Sequence, residues 1–284
     1  MNKPLKIENL KDFSLEHILD CGQCFRWSRE KDGSYTGTAF GKVLNIKESP
    51  SPCMDVAGDL VDLEIDNGTP WDWENIWHSY FDLGRDYGPI KEQLGRKDPV
   101  MAAAIRHGHG IRILNQDKWE AIVSFLISQN NNIPRIRKCI ETLCENFGAD
   151  LGEYRGKRYY HMPTPKVLAG LTEEDLLGCR LGYRARYIIE TARQVEREGI
   201  SETFDYLNTL CGVGPKVANC VLLFSMKRVD CFPIDVWVRR VMHQLYGLAE
   251  SDTKAMQGFA EENFGAYGGI AQQYLFYYIR ERQK

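Results

Sequence analysis

No apolar run in the 284-residue sequence is long enough to cross a bilayer: the longest, around Cys220 to Met226, falls far short of the ~20 residues a spanning helix needs. The opening MNKPLKIENLKDFSLEHIL mixes both charge signs and has no signal-peptide hydrophobic stretch, so a soluble intracellular (cytoplasmic) chain with no membrane role is expected. Long low-complexity linkers and short-period repeats are also missing. The nine cysteines (Cys21, Cys24, Cys53, Cys139, Cys144, Cys179, Cys211, Cys220 and Cys231) are odd in number and scattered through apolar segments. That fits reduced thiols better than a disulfide framework. Cys21-Gly22-Gln23-Cys24 has no second pair at zinc spacing, so no metal site is expected from it. No cysteine follows Cys231, which leaves the rest of the chain without a thiolate for a cluster.

A positive excess is missing as well, since the net charge is −3, but the charge is unevenly spread. Residues 1–90 hold nine Lys and Arg against sixteen Asp and Glu, whereas residues 91–284 hold 27 against 23. A polyanionic partner would therefore lie on the second part, although an ordinary fluctuation of charge would look the same.

Along the chain, FRWSRE, SYTGTAF and KVLNIKE are short, partly alternating and separated by turn formers, and they read as strands within residues 20–66. From about Asp72 the period lengthens. KWEAIVSFLISQ places Trp119, Ile122, Val123, Leu126 and Ile127 on one helical face, and IPRIRKCIETLCENFG does the same before ending at Gly148 as a C-cap. TEEDLLGC, ARYIIETARQVEREG, ETFDYLNTL, PKVANCVLLFSM and DVWVRRVMHQLYG continue the helical series. The expected organisation is a β-rich domain over residues 1–95 and a helical domain over 96–284.

Within the helical part, residues 204–226 read as helix, tight turn and helix, with Gly212-Val213-Gly214 leading into Pro215 at a first helical position. Such a turn exposes backbone N–H groups at a helix start, where a phosphate can bind, though plain helix packing uses similar turns. Lys216 stands in the first turn of the second helix, where the dipole disfavours a cation. Asp235 follows 19 residues later, in a segment spanning 231–246. A helix to Met226 rises roughly 15 Å, and the residues beyond it reach roughly 30 Å when extended, so the carboxylate can return beside the lysine. Asp235 also stands where an N-cap is needed, a role compatible with chemistry.

The stretch LCGVGPKVANC followed by FPIDVW resembles the helix-hairpin-helix, Gly/Pro-rich loop and aspartate signature (HhH-GPD) of base-excision DNA glycosylases. With GQCFRW, SQNNNIPRI, LGYRARY and AQQYLF, it is similar to the 8-oxoguanine DNA glycosylase/AP lyases over residues 12–280 or so. The resemblance implies an α+β, mostly helical fold: a twisted antiparallel β-sheet domain of TBP-like type packed on two all-helical lobes. It also implies a monomer acting on double-stranded DNA that contains 8-oxoguanine, without a cofactor.

Site roles carried by the resemblance begin with catalytic Lys216, an amine nucleophile, and Asp235, which stabilises positive charge developing on the sugar. A helix start unfavourable to an ammonium is favourable to a free amine. Asn130 is implied to fill the gap left by the flipped nucleotide, though asparagine also suits a turn. Tyr183, Arg184 and Arg135 are implied to meet the estranged base, with Arg135 favouring cytosine; they could equally form a solvated basic face. Gly22 is implied to aim its carbonyl at the N7–H that 8-oxoguanine has and guanine lacks, though by sequence alone it reads as a turn glycine entering a strand. Cys220, Gln272 and Phe276 complete the implied base pocket, though by composition Cys220 and Phe276 read as core. Gly212, Val213 and Gly214 are implied to bind phosphate.

Two departures stand out: Trp237 occupies the place of a histidine in vertebrate-like members, and Gln129 and Pro134 flank the asparagine run. Endonuclease III-like enzymes usually carry a C-terminal four-cysteine cluster, and methylpurine glycosylases usually lack the lysine. A helix-hairpin-helix protein that only binds DNA is the rival from another class.

Overall fold

A computed structural model of the chain describes residues 4–52 and 60–282; Cys53 lies outside the described residues. The N-terminal part holds β1 (Leu5–Leu10), α1 (Leu15–Leu19), β2 (Trp27–Arg29), β3 (Tyr35–Ala39), β4 (Lys42–Pro50) and β5 (Val61–Ile65). The strands form one antiparallel sheet in the order β1-β5-β4-β3-β2. Strands β2 and β3 fall within the segments expected from their alternation, and β4 covers KVLNIKE and runs on to Pro50. β1 does not announce itself in sequence, because LKIENL lies at the sheet edge and buries none of its side chains fully.

After the sheet come α2 (Pro70–Asp72), a π-turn over Trp73–Trp77 and α3 (His78–Tyr80). Trp73, Trp77, Tyr80 and Phe81 pack with Trp27, Leu44, Ile46, Leu63 and Ile65 as the core of this part. Gly37 makes room here: a Cβ on it would lie 2.2 Å from the Trp27 ring, whose Nε1 donates to the Tyr80 hydroxyl at 2.7 Å.

The helical body comprises α4 (Tyr87–Gly95), α5 (Pro99–His107), α6 (Lys118–Ser128), α7 (Ile133–Phe147), α8 (Pro165–Ala169), α9 (Arg184–Glu198), α10 (Phe204–Thr209), α11 (Pro215–Ser225), α12 (Val236–Tyr246), α13 (Thr253–Asn263) and α14 (Gly268–Arg282). To the expected picture it adds a two-stranded hairpin, β6 (Asp150–Tyr154) and β7 (Lys157–Tyr160), turned at Arg155 and Gly156, both with positive φ. TEEDLLGC yields only a 3-10 turn at Leu177–Cys179, ended by left-handed Arg180. Gly148 does cap α7, but with φ −85°. Its glycine is needed for close approach, because a Cβ would meet the His161 carbonyl oxygen at 2.0 Å.

Helix α6 is buried on every side from Trp119 to Ile127, not on one face, because it runs through the middle of the body. The Glu120 carboxylate caught there is matched by Arg26 Nη1 at 2.8 Å, an ion pair that joins the β2 segment to the body. The CxxC thiols are separated by packing, Cys21 in the body's core and Cys24 in the sheet's. Burial pushes Cys21 up to about 11 and Cys24 well above the ordinary thiol range, so neither is poised as a thiolate at neutral pH.

Where α14 meets α1 and α5, His17 lies 4.9 Å from the His109 ring and 5.4 Å from Tyr277, and its Nδ1 accepts the Gly110 N–H at 3.2 Å. Burial, then the neighbouring His109 and His107, pull its pKa from 6.5 down to about 4. Between these values the unfolded chain binds a proton that the native chain refuses. The stabilisation is therefore complete above pH ~6.5 and is lost as pH falls toward 4. With the half-exposed edge discounted, the native state should lose about 1 kcal/mol from this group between pH 7.5 and 5. Urea midpoints should show that loss, and His17→Asn should flatten the slope; an unchanged slope would reject the assignment.

Candidate active site

The hairpin between α10 and α11 is shaped by Gly212. Its φ is +78°, and a Cβ would lie 2.3 Å from the Tyr187 ring, so both conformation and space require glycine. Val213 turns its side chain into the core and donates its N–H to the Leu210 carbonyl at 3.0 Å. Of the turn residues expected to bind phosphate, Val213 thus has its amide already engaged. Gly212, Gly214 and the first turn of α11 remain: no side chain among the described residues caps this helix, whereas Asp117, Asn132, Thr203 and Asp235 cap α6, α7, α10 and α12. The orphan N–H groups and the positive dipole end are left open to an anion.

Lys216 is half-buried in that first turn, with Nζ 5.7 Å from the centroid of the Phe125 ring. Phe125 stacks on Phe224 at 5.5 Å and meets Phe25 edge-on at 5.9 Å, so the amine rests on an aromatic floor that sequence reasoning missed. One turn along α11, the Cys220 thiol is buried and feels the charge of Lys216. Burial pushes this thiol up and the charge of Asp235 adds to the rise, while Lys216 works against both. Lys216 and Asp235 are therefore both near enough to Cys220 for their charges to act on its thiol. They form no ion pair within 4.0 Å among the described residues, so the amine is not tied up by the carboxylate.

Asp235 is the N-cap of α12: Oδ1 accepts the Val238 N–H at 2.8 Å. Its Oδ2 accepts no hydrogen bond among the described residues. One carboxylate thus caps a helix with one oxygen and keeps the other free for a developing cation. Beside it Trp237 is 36% exposed, with the Arg240 guanidinium 5.3 Å from its ring centroid.

A second cluster forms where the Gly22 turn meets α14. Gly22 has φ +87°, and a Cβ there would lie 3.4 Å from Phe276 Cε1 and 3.3 Å from Arg280 Nη1. Gln272, one turn before Phe276, is 6% exposed, and its Oε1 is buried without a hydrogen-bond partner among the described residues. Such an orphan acceptor is costly in a free protein unless a ligand supplies the donor. Phe25, three residues past Gly22, packs against Phe125, which links this cluster to the floor under Lys216.

A third group surrounds the asparagine run, whose members do three different jobs. Asn132 caps α7, Asn131 Nδ2 donates to the Ile127 carbonyl at the end of α6, and Asn130 sits exposed at the tip with φ +47°. Arg184 is 5% exposed and turns inward. Its guanidinium donates to the carbonyls of Gln129, Asn130 and Leu181, and it lies 4.5 Å from the Tyr183 ring centroid. In this structure Arg184 supports the Asn130 turn and does not face outward. Tyr183 is 50% exposed, and Arg135 is exposed near the Arg180 carbonyl. Gln129, noted in sequence only as a departure, ties the run to the hairpin by donating to the Gly212 carbonyl at 3.1 Å.

Over residues 6–122 the chain matches the family model of the 8-oxoguanine DNA glycosylase N-terminal domain, and over 123–264 that of HhH-GPD superfamily base excision DNA repair proteins. It is 30% identical to the N-glycosylase/DNA lyase OGG1 of Arabidopsis thaliana, over 96% of this chain and 79% of that protein. Identity to the N-glycosylase/DNA lyase of Saccharomyces cerevisiae is 38%, over 85% of this chain and 70% of that one. The Clostridium acetobutylicum 8-oxoguanine glycosylase/lyase, solved with dsDNA containing cytosine opposite 8-oxoG, superposes at a TM-score of 0.90. That pair is 39% identical and covers 100% of this chain and 97% of the other.

Proposed function

The chain belongs to the HhH-GPD superfamily of base excision DNA repair proteins, in the branch that carries an 8-oxoguanine DNA glycosylase N-terminal domain, and from that premise we propose that it excises 8-oxoguanine from duplex DNA and cleaves the strand at the resulting site. Its substrate, the genome, puts its work inside the cell.

Lys216 is the nucleophile in this reading. The Nζ lone pair bonds to C1′ as the C1′–N9 bond breaks; the bonding pair leaves with the base, which takes up a proton. The nitrogen then loses one proton, and its lone pair forms C1′=N as the C1′–O4′ bond breaks and O4′ takes up a proton, which leaves a protonated Schiff base. Removal of a 2′ proton then expels the 3′ phosphate. The free oxygen of Asp235 stabilises positive charge on the sugar, and the open start of α11 takes a neighbouring phosphate. The observation that carries the reading is Lys216 over the Phe125 ring at an uncapped helix start, with its charge and that of Asp235 both acting on Cys220.

Recognition in this reading falls to the second cluster. The Gly22 carbonyl accepts the lesion's N7–H and repels the N7 lone pair of guanine, the orphan Gln272 Oε1 accepts from the Watson–Crick edge, and Phe276 stacks on the purine with Cys220 on the opposite side. Extrusion of the nucleotide costs a few kcal/mol, and Asn130 and Tyr183, both exposed, move into the stack and beside the estranged base. Arg135 donates to cytosine, while Arg184 holds the turn that presents Asn130.

The test is excision from duplexes carrying 8-oxoguanine opposite each of the four bases, with borohydride present. Excision with a trapped adduct supports the reading, and binding without either leaves a protein that only holds DNA. In the same assay Arg135→Ala should lower the preference for cytosine over adenine about tenfold, as for loss of one good base contact. An unchanged ratio would remove Arg135 from the role.

A further inference from the structure

Four successive carbonyls, those of residues 20 to 23, bracket the lesion-reading turn, and the side chains of the body treat them unequally. The Asp20 carbonyl accepts from Arg280 Nη2. The Cys21 carbonyl accepts from Gln273 Nε2 at 2.9 Å. The Gln23 carbonyl accepts from Gln116 Nε2 at 2.7 Å. Gly22 alone of the four has a carbonyl that accepts nothing among the described residues. Two of the three donors come from α14, the helix that also carries Gln272 and Phe276.

We infer that Gln273 and Arg280 are positioning residues for recognition: they fix the carbonyls before Gly22 so that the Gly22 carbonyl points at the base held by Gln272 and Phe276. The inference rests on the proposed reading of Gly22. Gln273 is 2% exposed and donates to main chain seven residues before Arg280, so the two grip the turn at points two helical turns apart. The Arg280 guanidinium also lies 5.6 Å from the Phe276 ring centroid, with Nη1 against Gly22. One rigid helix thereby sets the spacing between the stacking ring, the orphan amide oxygen and the reading carbonyl. A shift of the turn relative to α14 would cost the N7–H contact before it cost any contact with the sugar.

The contact is isolated by comparing 8-oxoguanine with its 7-deaza analogue, which has C7–H where the lesion has N7–H. Binding is measured with the Lys216→Gln protein, so that no turnover intervenes, on duplexes with the base opposite cytosine. That protein should prefer 8-oxoguanine by about tenfold, the worth of one hydrogen bond near 1.4 kcal/mol. Adding Gln273→Met or Arg280→Met should cut the preference below about threefold by weakening 8-oxoguanine binding alone, since the analogue never used the carbonyl. Looser folding would weaken both ligands equally and leave the ratio standing. Variants that keep the tenfold ratio overturn the positioning role, while Lys216→Gln showing no preference overturns the Gly22 reading and the inference with it. Should buried Gln273→Met fail to fold, the less enclosed Arg280→Met carries the test, with thermal unfolding and cleavage of a ready-made abasic duplex by the Lys216-bearing version as checks of integrity.

Discussion

Lys216→Gln is expected to give no borohydride-trapped adduct and no strand cleavage, while binding of duplex containing 8-oxoguanine stays within about threefold of the unaltered protein. Glutamine keeps part of the aliphatic stem but puts no basic nitrogen over the Phe125 ring to bond with C1′. Excision should fall by more than about a thousandfold, or ~4 kcal/mol of lost transition-state stabilisation. Stability should move the other way or not at all. A cation in the first turn of a helix is unfavourable by about 0.3–1 kcal/mol at an exposed site, so removing it from α11 should not lower Tm. The pair of results separates chemistry from architecture. Excision at the original rate would end the assignment, and a lower Tm with lost binding would make Lys216 a structural residue.

Much of this neighbourhood could be read before any coordinates, because it is locally encoded. Gly212, Pro215, Lys216 and Asp235 lie in two short motifs whose turn and cap chemistry forces their conformations. Strands β2 to β4 were legible for a similar reason: turn formers separate them, and each puts residues into the core. The hairpin of β6 and β7 was hidden because neither strand fully buries a side chain, so alternation has no apolar face to show itself on. TEEDLLGC carried helical residues, but Thr172 and Asp175 close on each other and left-handed Arg180 stops the turn within one revolution.

Contacts between distant segments left no mark in the sequence. Arg184 looked like a residue for DNA, and nothing nearby says that the carbonyls of Gln129 and Asn130, more than fifty residues earlier, would claim its guanidinium. Glu120 and Arg26, 94 residues apart, show the same limit: a charge inside an apolar period reads as an exposed flank until its partner is placed beside it. The Gly22 turn sits between these cases. Its glycine was legible as a turn, while the three donors that leave its carbonyl alone come from positions 116, 273 and 280.

Asp235→Asn should lower the rate of 8-oxoguanine excision by about a hundred- to a thousandfold with Tm changed by no more than about a degree or two. Both parts follow from the division of labour between its oxygens. Asparagine caps helices about as well as aspartate, so the 2.8 Å bond from the Val238 N–H to Oδ1 survives and α12 keeps its start. What disappears is the negative charge of the carboxylate, whose second oxygen has no hydrogen-bond partner among the described residues. Asp235→Ala should lose the cap as well, with about 1 kcal/mol of stability. A duplex with a ready-made abasic site adds a discriminating arm: there C1′ is a hemiacetal that opens to an aldehyde, and the amine can condense with it without passing through a sugar cation. Asp235→Asn should therefore slow that cleavage far less than base excision, by about tenfold or under. Equal losses on both substrates would mean that the carboxylate acts on the lysine itself, moving its protons, and that the sugar cation is stabilised elsewhere.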